Sequence, residues 1–136
     1  MATAEHRIRL RGGWDCLYRE SEDEAAPEIL RRVDLPLASP RELPARFRLA
    51  RQFGRPPVDL RNESVCLELR NMPGLRSARL NGRPIGQAAA GSVEPTIELP
   101  EPLLPRNGLV LEVEGIVVGA DDHAPWGEIA LVIRPR

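Results

Sequence analysis

The sequence predicts an all-β protein of eight to ten short, mainly antiparallel strands packed as a sandwich or barrel. Fourteen prolines and eleven glycines break the 136 residues so often that few windows can hold three turns of helix. Apolar residues recur at every second position in run after run, the period of a half-buried strand. Neither a GxGxxG loop nor a helical crossover nor an internal repeat interrupts the series, which argues against an α/β or solenoid chain.

Taken in order, "HRIRLRG" sets Ile8 and Leu10 on one face and Arg7, Arg9 and Arg11 on the other. "WDCLYRE" offers Trp14, Cys16 and Tyr18 to one side, and "ILRRVDLPL" brings Val33 and Leu35 together before Pro36. Between these two lies "SEDEAAPEIL", the best helical candidate, where Ser21 could cap Glu24. Pro27 interrupts it, and a loop with one short turn is expected. "ARFRLARQF" gives Phe47 and Leu49 a common side against Arg46, Arg48 and Ala50. "SVCLELRN" is the cleanest alternation, with Val65, Leu67 and Leu69 opposed by Cys66, Glu68 and Arg70. "SARLNG" follows as a short strand in which Leu80 points inward. Asn81 and Gly82 then suit the two positive-φ positions of a type I′ turn, with the chain returning through Ile85. "PTIELP" and "LVLEVEGIVV" are further strands. "GEIALVIRP" is apolar on both sides, as in a strand covered on each face.

The length is that of one domain, 1–136, large enough for a core without disulfide or metal staples. A formal net charge of -1, from 19 basic and 20 acidic residues, supplies no electrostatic argument for a nucleic acid or an anionic membrane as partner. Every basic residue is Arg, spread from Arg7 to Arg136, which reads as compositional bias rather than a binding patch. Cys16 and Cys66 set neither a zinc spacing nor a disulfide framework; two buried thiols are expected, with a single bridge open if their strands are adjacent. No stretch approaches 18 apolar residues, and "MATAEHRIRL" lacks the apolar run of a signal peptide. A soluble cytoplasmic protein is the default expectation, export requiring a leader outside this sequence.

The order of the pieces is more specific than any one of them. "IRLRGGWDC", "LRRVDLPLA", "ARFRLARQF", "VCLELRNMPGLRSARLNGRPIG", "TIELPEPLLPRNGLVLEVEG" and "PWGEIALVI" follow one another from about residue 7 to 134. In that order they resemble the galactose-binding-like jelly-roll domain, in particular the non-catalytic sugar-binding domain at the N-terminus of family 2 glycoside hydrolases. Here "PRNGLVLEVE" stands in place of that family's Gly-Glu-Asn-x-Leu. The resemblance implies a jelly-roll β-sandwich. It also implies an accessory role, because the family's catalytic carboxylates belong to a separate barrel that 136 residues cannot contain.

Residues able to carry chemistry are few. His6 lies near the N-terminus, where exposure is the default. "VGADDHAPWGE" gathers Asp121, Asp122, His123, Trp126 and Glu128 into one loop-like segment, which reads first as a solvated acidic loop, then as a ligand or metal contact, and last as a catalytic base. No cofactor is required by any motif. Calcium is suggested only by Asp121, Asp122 and nearby backbone oxygens. No G-x-S-x-G elbow or comparable nucleophile setting appears, and "RNES" is a formal glycosylation sequon without a secretion signal. Sugar recognition joins an aromatic platform to fixed polar groups, and only Trp14, Tyr18, Phe47, Phe53 and Trp126 are aromatic. Of these, Trp126, between Pro125 and Gly127, is the best candidate for an exposed platform, although a core position is the leading reading even there. Resemblance to the fold's ligand-bearing loops favours the neighbourhoods of Arg51 to Arg55 and of Asp121 to Trp126.

The expected function is therefore a non-catalytic module binding a carbohydrate or another polar ligand through loops at one sandwich end, with Arg51, Arg55, Asp121, Asp122, His123 and Trp126 as candidates. A protein-interaction or assembly module without sugar binding is the alternative. A small hydrolase is the third reading, weakened because fold alone establishes no reaction.

Overall fold

A computed structural model describes residues 5–21, 23–37, 44–87, 93–115 and 125–136. Among these residues ten strands form two antiparallel sheets. The smaller sheet has the order β1-β10-β5-β8, built from β1 (His6–Arg9), β10 (Glu128–Pro135), β5 (Glu63–Arg70) and β8 (Thr96–Glu98). The larger has the order β3-β2-β4-β9-β6-β7. Its members are β2 (Trp14–Tyr18), β3 (Ile29–Val33), β4 (Arg46–Gly54), β6 (Leu75–Leu80), β7 (Arg83–Ile85) and β9 (Arg106–Glu114). The two sheets form a jelly-roll β-sandwich. Among the described residues no helix is long and apolar enough to cross a membrane.

The period-two runs build the core as the pattern requires. Phe47 and Leu49 of β4, Leu109, Leu111 and Val113 of β9, and Trp14 and Cys16 of β2 face Leu67 of β5 and Leu131 of β10, all at most 2% exposed. Residues 23–26 form the expected turn, with the Ala26 amide donating to the Asp23 carbonyl at 2.9 Å. Cys16 and Cys66 are free, buried thiols: Cys16 faces the core from β2, whereas Cys66 lies opposite Val132 on the outer face of the other sheet, and no bridge joins them.

Asn81 and Gly82, at φ 52° and 82°, form the tight turn between the paired residues Leu80 and Arg83. Asn81 also explains why this turn wants Asn and not a second Gly. Its Oδ1 accepts from the Gly108 amide at 2.8 Å, and its Nδ2 donates to Asn107 Oδ1 at 3.0 Å. Asn107, 1% exposed, sits in the inward row of β9 where the pattern calls for an apolar side chain. Its Oδ1 accepts from the Leu104 amide at 3.1 Å and its Nδ2 donates to the Leu104 carbonyl at 2.9 Å, so both polar atoms of this buried amide have partners. The β6–β7 turn, the start of β9 and the loop before it are thereby one hydrogen-bonded unit.

The doubly apolar β10 is covered on both faces, and among the described residues its outer side is covered by side chains and not by a third layer of backbone. Ala130 and Val132 point away from the core and are still only 5% and 0% exposed. Arg7 on β1 reaches across β10 to Glu68 on β5, about 10 Å over two strand spacings. Arg70 Nε meets the same carboxylate at 2.7 Å. The aliphatic stems of these arginines roof the small residues beneath them.

Candidate functional site

The sequence candidates fall at different places in the sandwich. Arg51 is not in a loop: it occupies β4, in phase with the inward Leu49 and Phe53. Its Nε donates to the Gly12 carbonyl at 2.6 Å and ties the β1–β2 turn to β4, and partial burial lowers its pKa below the usual arginine value. Arg55, just past the end of β4, is exposed; its amide donates to the Pro105 carbonyl at 3.1 Å and its Nη1 to the Leu103 carbonyl at 3.3 Å.

Trp126 is buried, not an exposed platform, at 3% exposure. Its Nε1 donates to the Pro73 carbonyl at 3.0 Å, and its ring meets Phe47 edge-on, with centroids 5.8 Å apart and planes at 68°. Gly127, at φ 87°, turns the chain into β10 immediately after it, and backbone bonds to Leu37 on both sides hold the indole over the core. A Pro and a Gly beside an aromatic mark a turn equally well whether the ring points out or in, which is why the sequence left both positions open. Asp121, Asp122 and His123 lie outside the described residues.

Arg55 and Trp126 do not share one end of the sandwich. Trp126 packs on Phe47, and Arg55 lies eight residue steps further along β4 and its exit, about 26 Å of extended chain. A single-ended site drawing on both is not assembled.

At the Arg55 end lies a cleft of about 460 Å³, within the range of small-molecule sites. Residues 55–60 form one wall and residues 99–103 the other. Four prolines (Pro56, Pro57, Pro100 and Pro102) fix the backbone of both walls, so the cleft needs little ordering to receive a ligand. Val58, Leu60 and Leu103 present hydrocarbon. The polar groups are Arg55 and Glu101; Glu101 is ion-paired with Arg136, whose Nε also donates to the Leu60 and Glu63 carbonyls at 2.9 and 3.0 Å. Asp59 shapes the adjoining turn, accepting from the Arg61 amide at 3.1 Å and from Asn62 Nδ2 at 2.8 Å. The side-chain amide of the "RNES" asparagine is thus engaged in the turn. The second wall carries no ligand signal in the sequence: residues 99–103 follow the "PTIELP" strand as a proline-rich stretch, and only the pairing of β5 with β8 brings them beside Arg55.

Hydrolytic chemistry finds no support at the cysteines. Burial pushes the Cys16 thiol up to about 11, so it is protonated at neutral pH and is no nucleophile. Among the described residues, no group of three or more His, Cys, Asp or Glu side chains could hold a metal ion.

No protein-family model matches the chain, and no curated protein matches it in sequence. Solved structures do resemble it. An FMN-binding β-glucuronidase from Facaelibacterium prausnitzii L2-6 superimposes with a TM-score of 0.69 at 18% identity, over 95% of this chain and 22% of that one. A β-D-glucuronidase of Dictyoglomus thermophilum gives 0.65 at 15% identity, over 100% of this chain and 29% of that one. A GH2 β-galacturonidase from Eisenbergiella tayi gives 0.64 at 10% identity, covering 96% and 25%. The chain therefore spans less than a third of the length of these enzymes. At such identities the likeness speaks for the fold alone: this is an all-β jelly-roll-like domain structurally similar to one part of GH2 glycosidases.

Proposed function

We propose that the chain is a non-catalytic module that binds a carbohydrate or a comparable polar ligand in the cleft beside Arg55. The observation that carries this reading is the cleft itself, at the end of a sandwich whose fold recurs as a part of glycosidases. Its walls suit a sugar ring: proline, valine and leucine surfaces face C–H groups, while Arg55 donates to hydroxyl oxygens and Glu101 accepts from hydroxyl hydrogens. The similar enzymes are β-glucuronidases and a β-galacturonidase, so glycans bearing uronic acids belong in the first panel.

A glycan array followed by calorimetry tests this, with Arg55→Ala as the discriminating variant. Saturable binding to one sugar class that Arg55→Ala weakens supports the cleft. Binding that the variant leaves unchanged removes it.

A second reading, an assembly module without sugar binding, is favoured by Leu60 and Leu104, 43% and 53% exposed on the two loops of that end. Light scattering on the eluting peak, with a Leu60→Ser/Leu104→Ser variant, separates the two. Association that the double variant abolishes favours assembly, and a monomer at every concentration counts against self-assembly.

A further inference from the structure

We propose that the outer face of the four-stranded sheet carries a second site, for a small oxyanion, held by Arg9 and Arg11 above Ala130. The alternation of β1 sends Arg7 and Arg9 outward, and Arg11 follows at the same parity, with about 6.6 Å between successive positions. In register, one row across the sheet reads Arg9, Ala130, Glu68, and the neighbouring row pairs Glu128 with Arg70. Ala130 carries only a methyl group between these long side chains, so a hollow of about 90 Å³ opens above it. Leu10, Leu35 and Pro36 close one side with hydrocarbon, which strengthens charge pairing inside.

The hollow carries excess positive charge. Four guanidinia (Arg7, Arg9, Arg11 and Arg70) face two carboxylates, Glu68 and Glu128, a balance of +2. Glu68 is fully engaged, its two oxygens held by Arg7 and Arg70. That ion pairing fixes the wall without neutralising Arg9 or Arg11, whose guanidinium groups have no ion pair or hydrogen bond among the described residues. Guanidinium presents paired N–H donors matched to carboxylate or phosphate oxygens, so the ligand chemistry is an oxyanion group. Glu128 opposes it with one like charge. This site lies on a sheet face, apart from the Arg55 cleft, and does not rest on the sugar-binding reading.

The test is an amide-detected NMR titration of the whole chain with sodium acetate and with inorganic phosphate, at constant ionic strength and with chloride as reference. Saturable shifts confined to Arg9–Arg11 and Glu128–Ala130 are expected for at least one probe, and the tighter probe shows whether a planar or a tetrahedral anion fits better. Arg9→Gln/Arg11→Gln, both at exposed positions, weakens binding about tenfold, and Glu128→Gln tightens it about threefold, the effect of one charge about 6 Å away in water. Shifts that do not saturate, that spread over the whole surface, or that persist in the double variant overturn the proposal. Arg55→Ala leaves this titration unchanged, so failure here and failure at the cleft are separately readable.

Discussion

Asn107 offers the sharpest quantitative test of how this sandwich is held together. Asn107→Ala deletes three hydrogen bonds, two to Leu104 and one to Asn81, each contributing about 1 kcal/mol net. It also removes a side chain that is 1% exposed and leaves a small void. The side chains of Leu104 and Asn81 lie toward solvent, so water re-solvates part of what is orphaned. The expected loss is about 3 kcal/mol. For 136 residues, an unfolding entropy of about 2.1 cal/mol/K per residue converts this to a Tm drop of roughly 10 °C. Urea unfolding with an unchanged m-value is the primary assay. Asn81→Gly keeps the positive φ and loses two side-chain bonds, for about 2 kcal/mol. Because the two residues share one direct bond, the double variant should cost about 1 kcal/mol less than the sum. A loss under about 0.5 kcal/mol for Asn107→Ala, or strict additivity of the pair, would refute the idea of a single hydrogen-bonded unit.

Trp126→Ala should destabilise by about 3–5 kcal/mol, measured by denaturant unfolding, because the indole is core and not platform; an unaltered midpoint would return it to the surface. Gly86→Ala meets two obstacles, a φ of 63° and an Ile97 side chain 2.2 Å from the added carbon, and is expected to cost about 2 kcal/mol or more in the same assay. Arg7 and the neighbouring Arg70 and Arg134 hold the Glu68 carboxyl below the usual range. Its contribution is therefore complete above the unfolded-state value and disappears as pH falls through the folded one. Glu68→Gln should flatten that part of the acid limb of stability against pH, and an unchanged limb contradicts the assignment. Cys16, buried and shifted up to about 11, should resist a thiol reagent at neutral pH until the chain unfolds.

Most of the strand pattern was legible because burial on one face writes a period of two into the residues themselves. "SVCLELRN", "ARFRLARQF" and the Asn81-Gly82 turn needed no tertiary knowledge to be read. β7 is three residues with one half-buried side chain, too short to carry a period, and shows only as the return leg of a turn. β10 read correctly as covered on both faces, but its outer cover is salt-bridged side chains from β1 and β5, and no local signal announces partners 61 residues apart. The candidate site was legible only in part. Arg55 was singled out from its loop, whereas its cleft depends on prolines more than 40 residues away. Arg51, inside the "ARFRLARQF" strand and also a ligand candidate beside Arg55, stays in β4 and fastens a turn. Trp126 takes the core position and not the platform, a choice the sequence left open because a flanking Gly at positive φ can aim a ring either way.

The position of β10 between β1 and β5 has a consequence for how the chain comes together as it is made. All six strands of the larger sheet are complete once residue 114 has emerged, and β5 can already pair with β8. β1, however, has no neighbour until residues 128–135 arrive, and one side of β5 stays open. Through most of synthesis Trp14, Phe47 and Leu111 thus face an unfinished opposing sheet, and the last strand made acts as the keystone that closes it.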